Sequence, residues 1–344
     1  MKPNRTKKQS LFIGLVTAGL LVAAYFGLSL LFSNDASPLS YYIEVVKLIL
    51  INILLAVSLN VVTGFLGQLA LGHSGFMTVG AYTMILIVRD SGLPFIASVP
   101  LGLLAGGLVA AAFGLLIGIP ALRLRGDYLA ILTLAFGEII RVLVTVCIST
   151  TAQSIPGKMV AKLQPFAFPL IYFVVVLSVI LIYTFGTSRH GRAVLSIRDN
   201  EIAADACGIN TVYFKLFAFV FGAFFAGIAG GLYGIHVGSI DPSRAGFMFS
   251  IDILVMVVLG GMGSITGSIV AATALTLLTD FLKDIPNFSA YRMIAYAVIL
   301  IAMMLFRPSG LLGRSEFSLS GVIAWLRGRK GKSQAVAAAD EEAK

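Results

Sequence analysis

"LIYFVVVLSVILIYTFG", residues 170–186, contains no charged side chain. Such a run suits hydrocarbon better than a water-facing fold: a bilayer core about 30 Å thick is crossed by roughly 20 apolar residues in a helix. Comparable runs recur on either side of it, among them "LFIGLVTAGLLVAAYFGLSLLF" (11–32) and "AYAVILIAMMLF" (295–306). Over the 344 residues, 58% are apolar and 12% charged, about half the charged share of a soluble domain. No soluble core of this size needs so much apolar material, so the expected fold class is an all-α polytopic membrane protein.

Apolar runs read against loops give ten candidate spans, near 11–32, 45–63, 68–88, 96–118, 128–149, 168–186, 213–235, 250–262, 264–282 and 291–306. The eighth is short enough to be re-entrant or broken. With a cytoplasmic N-terminus, parity places 119–127, 187–212 and 307–344 inside. Those segments and the N-terminus hold 16 of the 25 Lys and Arg residues, against seven on the opposite side. The cytoplasmic excess of Lys and Arg therefore supports ten transmembrane helices with both termini in the cytoplasm. It also accounts for the net charge of +9 without nucleic acid. "MKPNRTKKQS" before an apolar run imitates a signal peptide, but "SNDASP" lacks the small-x-small cleavage pattern, so a retained first helix is expected. Three regions follow: a basic cytoplasmic N-terminus (1–10), a transmembrane domain (11–313) with a cytoplasmic loop at 187–212, and a cytoplasmic tail (314–344). Val322, Ile323, Trp325 and Leu326 suit contact with inner-leaflet lipid, and the rest of the tail has a disordered composition.

One polar island interrupts the apolar pattern: "SIRDNEIAADACGIN" (196–210), with Arg198, Asp199, Glu201 and Asp205. Ile202, Ala203, Ala206 and Ile209 recur at helical spacing, and Gly208 and Asn210 are natural helix enders. The segment reads as a short amphipathic helix exposed to the cytosol. An ordinary solvated loop fits the pattern equally well.

"EIAADACGIN" resembles the cytoplasmic EAA-type loop of permease subunits from bacterial ABC importers. More specifically, "RAVLSIRDNEIAADACGINTVYFKLFAFVFGAFFAGIAGGLYG" (192–234) resembles the branched-chain amino acid permeases of the LivM type. So do "GFLGQLALGHSGFMTVGAYT" (64–83), "GDYLAILTLAFGEIIRVLV" (126–144) and "FRPSGLLG" (306–313). These four motifs stand in the family's order across residues 45 to 313. The resemblance implies a coupling helix that docks on an ATPase subunit, with Glu201, Ala203, Ala204, Gly208 and Ile209 as docking residues. It further implies a homologous second permease, two ATPase subunits that hydrolyse the ATP, and a periplasmic amino-acid-binding protein met by the loops at 150–167 and 236–250. The setting would be a bacterial inner membrane.

Two Gly-rich stretches, "GFLGQLALGHSG" (64–75) and "LGGMGSITGS" (259–268), interrupt membrane segments in the two halves of the chain. Matched interruptions point to a translocation path, since broken backbone at membrane depth is tolerated where it lines a cavity or lies buried in protein. The candidates are Gly67, Gln68, Gly72, His73, Ser74 and Gly75 in the first stretch, and Gly260, Gly261 and Gly263 in the second. Close helix packing also explains single glycines. The polar Gln68, His73 and Ser74 favour the path for the first stretch as a whole. Glu138 and Arg141 stand at i, i+3 and can pair within a helix, as an element of conformational change or as a structural anchor.

His73 has no second ligand at metal spacing, and Cys147 and Cys207 lie far apart, so neither a metal site nor a disulfide is expected. No phosphate-binding GxxxxGK[ST] loop occurs; "GGMGSITG" follows no strand and is an accidental dinucleotide match. No Ser-His-Asp set or carboxylate pair suggests catalysis. The expected function is the permease subunit of an importer for branched-chain or hydrophobic amino acids, without its own ATPase site or bound cofactor. One alternative keeps the machine and carries urea or short amides. Another, of a different class, is an ion-coupled secondary transporter, which requires an essential intramembrane carboxylate such as Glu138.

Overall fold

Between Ser40 and Asn60 the chain has neither proline nor glycine, and it forms one helix, α1 (Ser40–Asn60), prolonged by a wider π-helical turn over Val61–Phe65. Every residue from Ile51 to Leu66 is buried. A helix that is apolar on all sides belongs inside its fold, and α1 is indeed the central post. The computed structural model describes residues 40–121, 127–147, 157–239 and 246–282, with single positions between 294 and 311. The other helices are α2 (His73–Asp90), α3 (Phe95–Ala121), α4 (Asp127–Cys147), α5 (Gly157–Thr187), α6 (Arg189–Asp199), α7 (Glu201–Ala206), α8 (Thr211–Val237), α9 (Phe247–Gly260) and α10 (Ile265–Leu282). No sheet occurs among the described residues.

Helices α5, α8, α9 and α10 pack around α1, and α2, α3 and α8 form a second tight group. Small residues make that group possible. Gly80 of α2 faces the Gly227 backbone of α8, and a Cβ at Gly227 would come within 2.5 Å of the Ala110 methyl of α3. Without a hydrophobic drive between helices in lipid, such backbone approach and its van der Waals contact supply the association. The outward faces carry Leu104, Leu108 and Leu116 on α3, Ile131 and Leu143 on α4, and Phe173 and Leu177 on α5, all exposed. An apolar exterior of this extent requires lipid or a partner helix.

The expected spans at 45–63, 96–118, 128–149, 213–235 and 264–282 match α1, α3, α4, α8 and α10 to within a few residues. The 168–186 span is contained in the longer α5, and 250–262 is α9. The span expected at 68–88 starts late: residues 66–72 are not helical, and α2 begins at His73. Among the described residues, four helices, Tyr41–Phe65, Ile96–Ala121, Phe166–Thr187 and Thr211–Val237, are long and apolar enough to cross a membrane; α9 and α10 are apolar but shorter. The regions 1–10, 11–32 and 314–344 lie outside the described residues. Of 291–306, only positions 294, 298, 301 and 305 are described, each helical.

The polar island is two helices rather than one. α6 ends at Asp199, and Asn200, extended at φ −159°, turns the chain into α7. Each start is capped by a side chain: Ser188 accepts from the Gly191 amide, Asn200 from the Ala203 amide, and Asn210 from the Tyr213 amide that opens α8. Such caps satisfy amides that have no partner within the helix.

Candidate functional site

At one end of α1, the two Gly-rich stretches meet. Asn60 ties the second stretch to α1: its Oδ1 accepts from the Gly263 amide (2.8 Å), and its Nδ2 donates to the Ser264 carbonyl (3.0 Å). Gly64 presses on the Gly263 backbone, Gly260 on Gly267, and Gly310 on Gly261. The Leu311 amide donates to the Leu259 carbonyl (2.9 Å), so Gly310 and Leu311 close on the same place. Gly67, Gly261 and Gly263 have φ of 75°, 112° and 92°, a region that only glycine enters freely.

The polar island reaches this junction through Arg198. Its Nη1 donates to the Gly64 carbonyl (2.7 Å), and its Nη2 lies 3.4 Å from Asp199 Oδ1. The stem runs beneath Gly67, where a Cβ would stand 2.6 Å from Arg198 Cγ. The Gly64 carbonyl lies at the end of α1 and its π turn, where carbonyls lack helical partners and attract a cation.

The other polar residues of the first stretch lie at the start of α2. His73 and Ser74 are fully buried, at 2% and 1% exposure. The Ser58 hydroxyl lies 2.8 Å from His73 Nε2 and 2.9 Å from the Leu55 carbonyl, so the ring is held by a buried hydroxyl. Ser74 Oγ donates to the Gly246 carbonyl (3.2 Å) and lies 2.7 Å from Ser250 Oγ, which also accepts from the Ser74 amide (3.2 Å). The beginnings of α2 and α9 are thus tied together. Helix α4 backs both: Thr133 Oγ1 accepts from the Leu71 amide (3.0 Å), Gly72 presses on the Thr133 carbonyl, and Gly75 lies against Gly137. Glu138 and Arg141 do pair, at 2.6 Å, and the second Glu138 oxygen accepts from the Phe247 amide (3.1 Å) at the start of α9. A carboxylate there complements the positive end of the helix. Gln68 is half-buried, and its Oε1 has no hydrogen bond. Asp252 of α9 is buried.

Of the five island residues assigned to docking, Ala203 and Gly208 are exposed and Ile209 is half-buried. Ala204 turns inward at 4% exposure, and Glu201 pairs with Lys215 of α8 at 2.7 Å. These two fasten α7 to the body. Ile202, by contrast, is 83% exposed, with Ala203, Ala206 and Cys207 beside it on the open side. Thus Ala204, which the resemblance assigned to docking, faces the body, and Ile202 of the apolar stripe faces out. Gly208, at φ 81° with nothing within 4 Å of its Cβ position, makes the turn that ends α7.

Sequence reasoning did not single out Asn60, Ser58, Thr133, Ser250 or the role of Arg198. The available signal was polarity at the ends of otherwise apolar runs, as in "SLN" at 58–60. No group of three metal-binding side chains occurs among the described residues.

Residues 41–305 match the family model described as branched-chain amino acid transport system / permease component. The chain is 36% identical over 302 residues to the high-affinity branched-chain amino acid transport system permease protein LivM of Escherichia coli, covering 78% of this chain and 69% of that one. It is 29% identical over 286 residues to the permease protein BraD of Pseudomonas aeruginosa, covering 76% and 92% of the two chains. A 129-residue stretch is 35% identical to LivH of E. coli, covering 38% and 41%. No solved structure matches the chain.

Proposed function

The chain belongs to the family of branched-chain amino acid transport permease components, and from that premise we propose that it is the permease subunit of an ATP-driven importer for branched-chain and other hydrophobic amino acids. It is a multi-pass protein of a bacterial inner membrane. Ten spans and cytoplasmic termini are the topology that the Lys and Arg distribution supports. The partners are a homologous second permease, two ATPase subunits and a periplasmic binding protein. ATP is held and hydrolysed by the ATPases, and this chain carries no cofactor.

One observation carries the coupling role: α7 presents the 83%-exposed Ile202 on a helix fastened from behind by Ala204 and the Glu201–Lys215 pair. A soluble monomer gains nothing by holding an isoleucine in water on a rigid mount; a docking helix does. Ile202, Ala203, Ala206 and Gly208 form the contact surface, and Gly208 allows close approach. Closure of the ATPases moves α7, and the interrupted segments at 66–72 and 261–264 change their fit to open the path to the other side. His73 and Ser74 hold the start of α2 in place rather than touching cargo in this conformation. The ion-coupled alternative gains no support from Glu138, since both its oxygens are engaged by Arg141 and the Phe247 amide.

The test is uptake of radiolabelled leucine by cells expressing this chain with its partner permease and binding protein, with and without the ATPase subunits. Uptake is lost without the ATPases. Uptake that persists and follows an ion gradient instead overturns the reading.

A further inference from the structure

Arg198 joins two parts of the molecule that the transport cycle must connect. It is the last basic residue of α6, three positions before the start of α7, and its guanidinium ends in the junction of the two helix breaks. α6 is itself a firm mount: Val194 and Ile197 are buried, and Gly191 lies against the Phe185 carbonyl. Asn200 alone separates α6 from α7, so a push on α7 is delivered next to the base of the Arg198 side chain.

Two glycines make room for the arm. Gly67 lies over Cγ, and a Cβ at Gly263 would stand 3.0 Å from Nη1. Its bond to the Gly64 carbonyl is charge-assisted, and such bonds are roughly twice as strong as neutral ones. Two buried polar atoms of this joint have no hydrogen bond, Arg198 Nε and Gln68 Oε1, and Gln68 follows Gly67 in the chain. A buried joint with an unused donor and an unused acceptor has the capacity for a second set of bonds, which is what a two-state element requires.

We propose that Arg198 is the positioning residue that transmits movement of the docking helix to the helix breaks at Gly64 and Gly263. The proposal rests on the docking reading of α7 and adds the route by which docking reaches the membrane segments. When α7 moves, the guanidinium pulls on the Gly64 carbonyl and shifts the end of α1 against the 261–264 turn. Without the guanidinium, the ATPase still docks and still hydrolyses ATP, but the breaks no longer follow.

The test uses the whole complex, this chain with its partner permease, the ATPases and the binding protein, in proteoliposomes. The readouts are ATPase co-purification and leucine transported per ATP hydrolysed. Arg198→Met retains the ATPase at the wild-type level and lowers the transport-to-hydrolysis ratio by about tenfold, the size of a modest coupling free energy. Arg198→Lys, which keeps one charged donor, restores part of the ratio. Gly67→Ala, which lifts the stem and leaves the charge in place, lowers the ratio as Arg198→Met does, and it decides the matter if Arg198→Met does not reach the membrane. A wild-type ratio in Arg198→Met or in Gly67→Ala overturns the proposal, as does a proportional loss of transport and hydrolysis. Absence of ATPase from the wild-type complex is a different result and overturns the docking reading itself.

Discussion

The Glu201–Lys215 pair is asymmetric, and the asymmetry predicts which partner matters. Lys215 is 7% exposed at its side chain and Glu201 is 38% exposed. Replacing Glu201 by Ala leaves an ammonium shut away from water with its counter-charge gone. Losing one partner of a fully buried pair costs roughly 3–5 kcal/mol; the partial hydration of this one argues for the lower end, about 3 kcal/mol. Replacing Lys215 by Met leaves a carboxylate that turns to water and an apolar stem of similar size, at a cost of roughly 1 kcal/mol or less. The relevant opening is local, the lifting of α7 from α8, so hydrogen exchange at the Ala204 and Cys207 amides is the assay. With about 0.59 kcal/mol per unit of RT, 3 kcal/mol accelerates exchange by on the order of 150-fold. Glu201→Ala shows that acceleration, Lys215→Met shows a fewfold change, and the double variant resembles Lys215→Met rather than the sum. Equal effects of the two single variants, or additivity in the double, refute the reasoning.

Three further outcomes follow from the packing. Asn60→Leu removes two hydrogen bonds and leaves the Gly263 amide and the Ser264 carbonyl unsatisfied, costing about 2–4 kcal/mol; the melting temperature in detergent should fall well below that of Asn52→Leu, which breaks the one bond to Thr276. Gly227→Leu drives α8 from α3 and α2, and the variant should yield little monodisperse protein in gel filtration, whereas Gly92→Ala, with φ 62° but open space, costs only its backbone strain. Asn200→Ala removes the α7 cap, costs about 1 kcal/mol, and should raise proteolytic nicking near 200–207 without changing the global melting point.

Much of this architecture is legible in the sequence because the membrane imposes one rule on every span: apolar outside and hydrogen-bonded within. The runs that become α1, α3, α8 and α10 need no tertiary information to be found. The late start of α2 is different. Leu66, Leu69, Ala70 and Leu71 look as apolar as any helical segment, but the positive φ at Gly67, the Leu71 amide's bond to Thr133 and the packing of Gly72 on Thr133 go with a non-helical path. The inward place of Ala204 was not legible either: the resemblance makes it a docking residue, whereas the Glu201–Lys215 pair and the Asn200 cap hold α7 with Ala204 against the body and Ile202 outward. The junction was the least legible part. Asn60, Arg198, Gly263 and Gly310 are far apart in the chain, and a single polar residue at the end of an apolar run does not reveal its partner. All four motifs of the family resemblance nonetheless converge on this junction or on the joined starts of α2 and α9.

The most direct measurement of the central claim is co-purification of the ATPase subunit with this chain carrying Ile202→Glu. Ile202 touches little of its own protein, so the variant should reach the membrane and elute like the wild type. The account predicts that the wild-type chain brings the ATPase down and that Ile202→Glu loses it by an order of magnitude or more, as for a buried anchor at the centre of an interface. ATPase recovered in full with Ile202→Glu would contradict the account, because α7 would then not be the surface on which the ATPase docks.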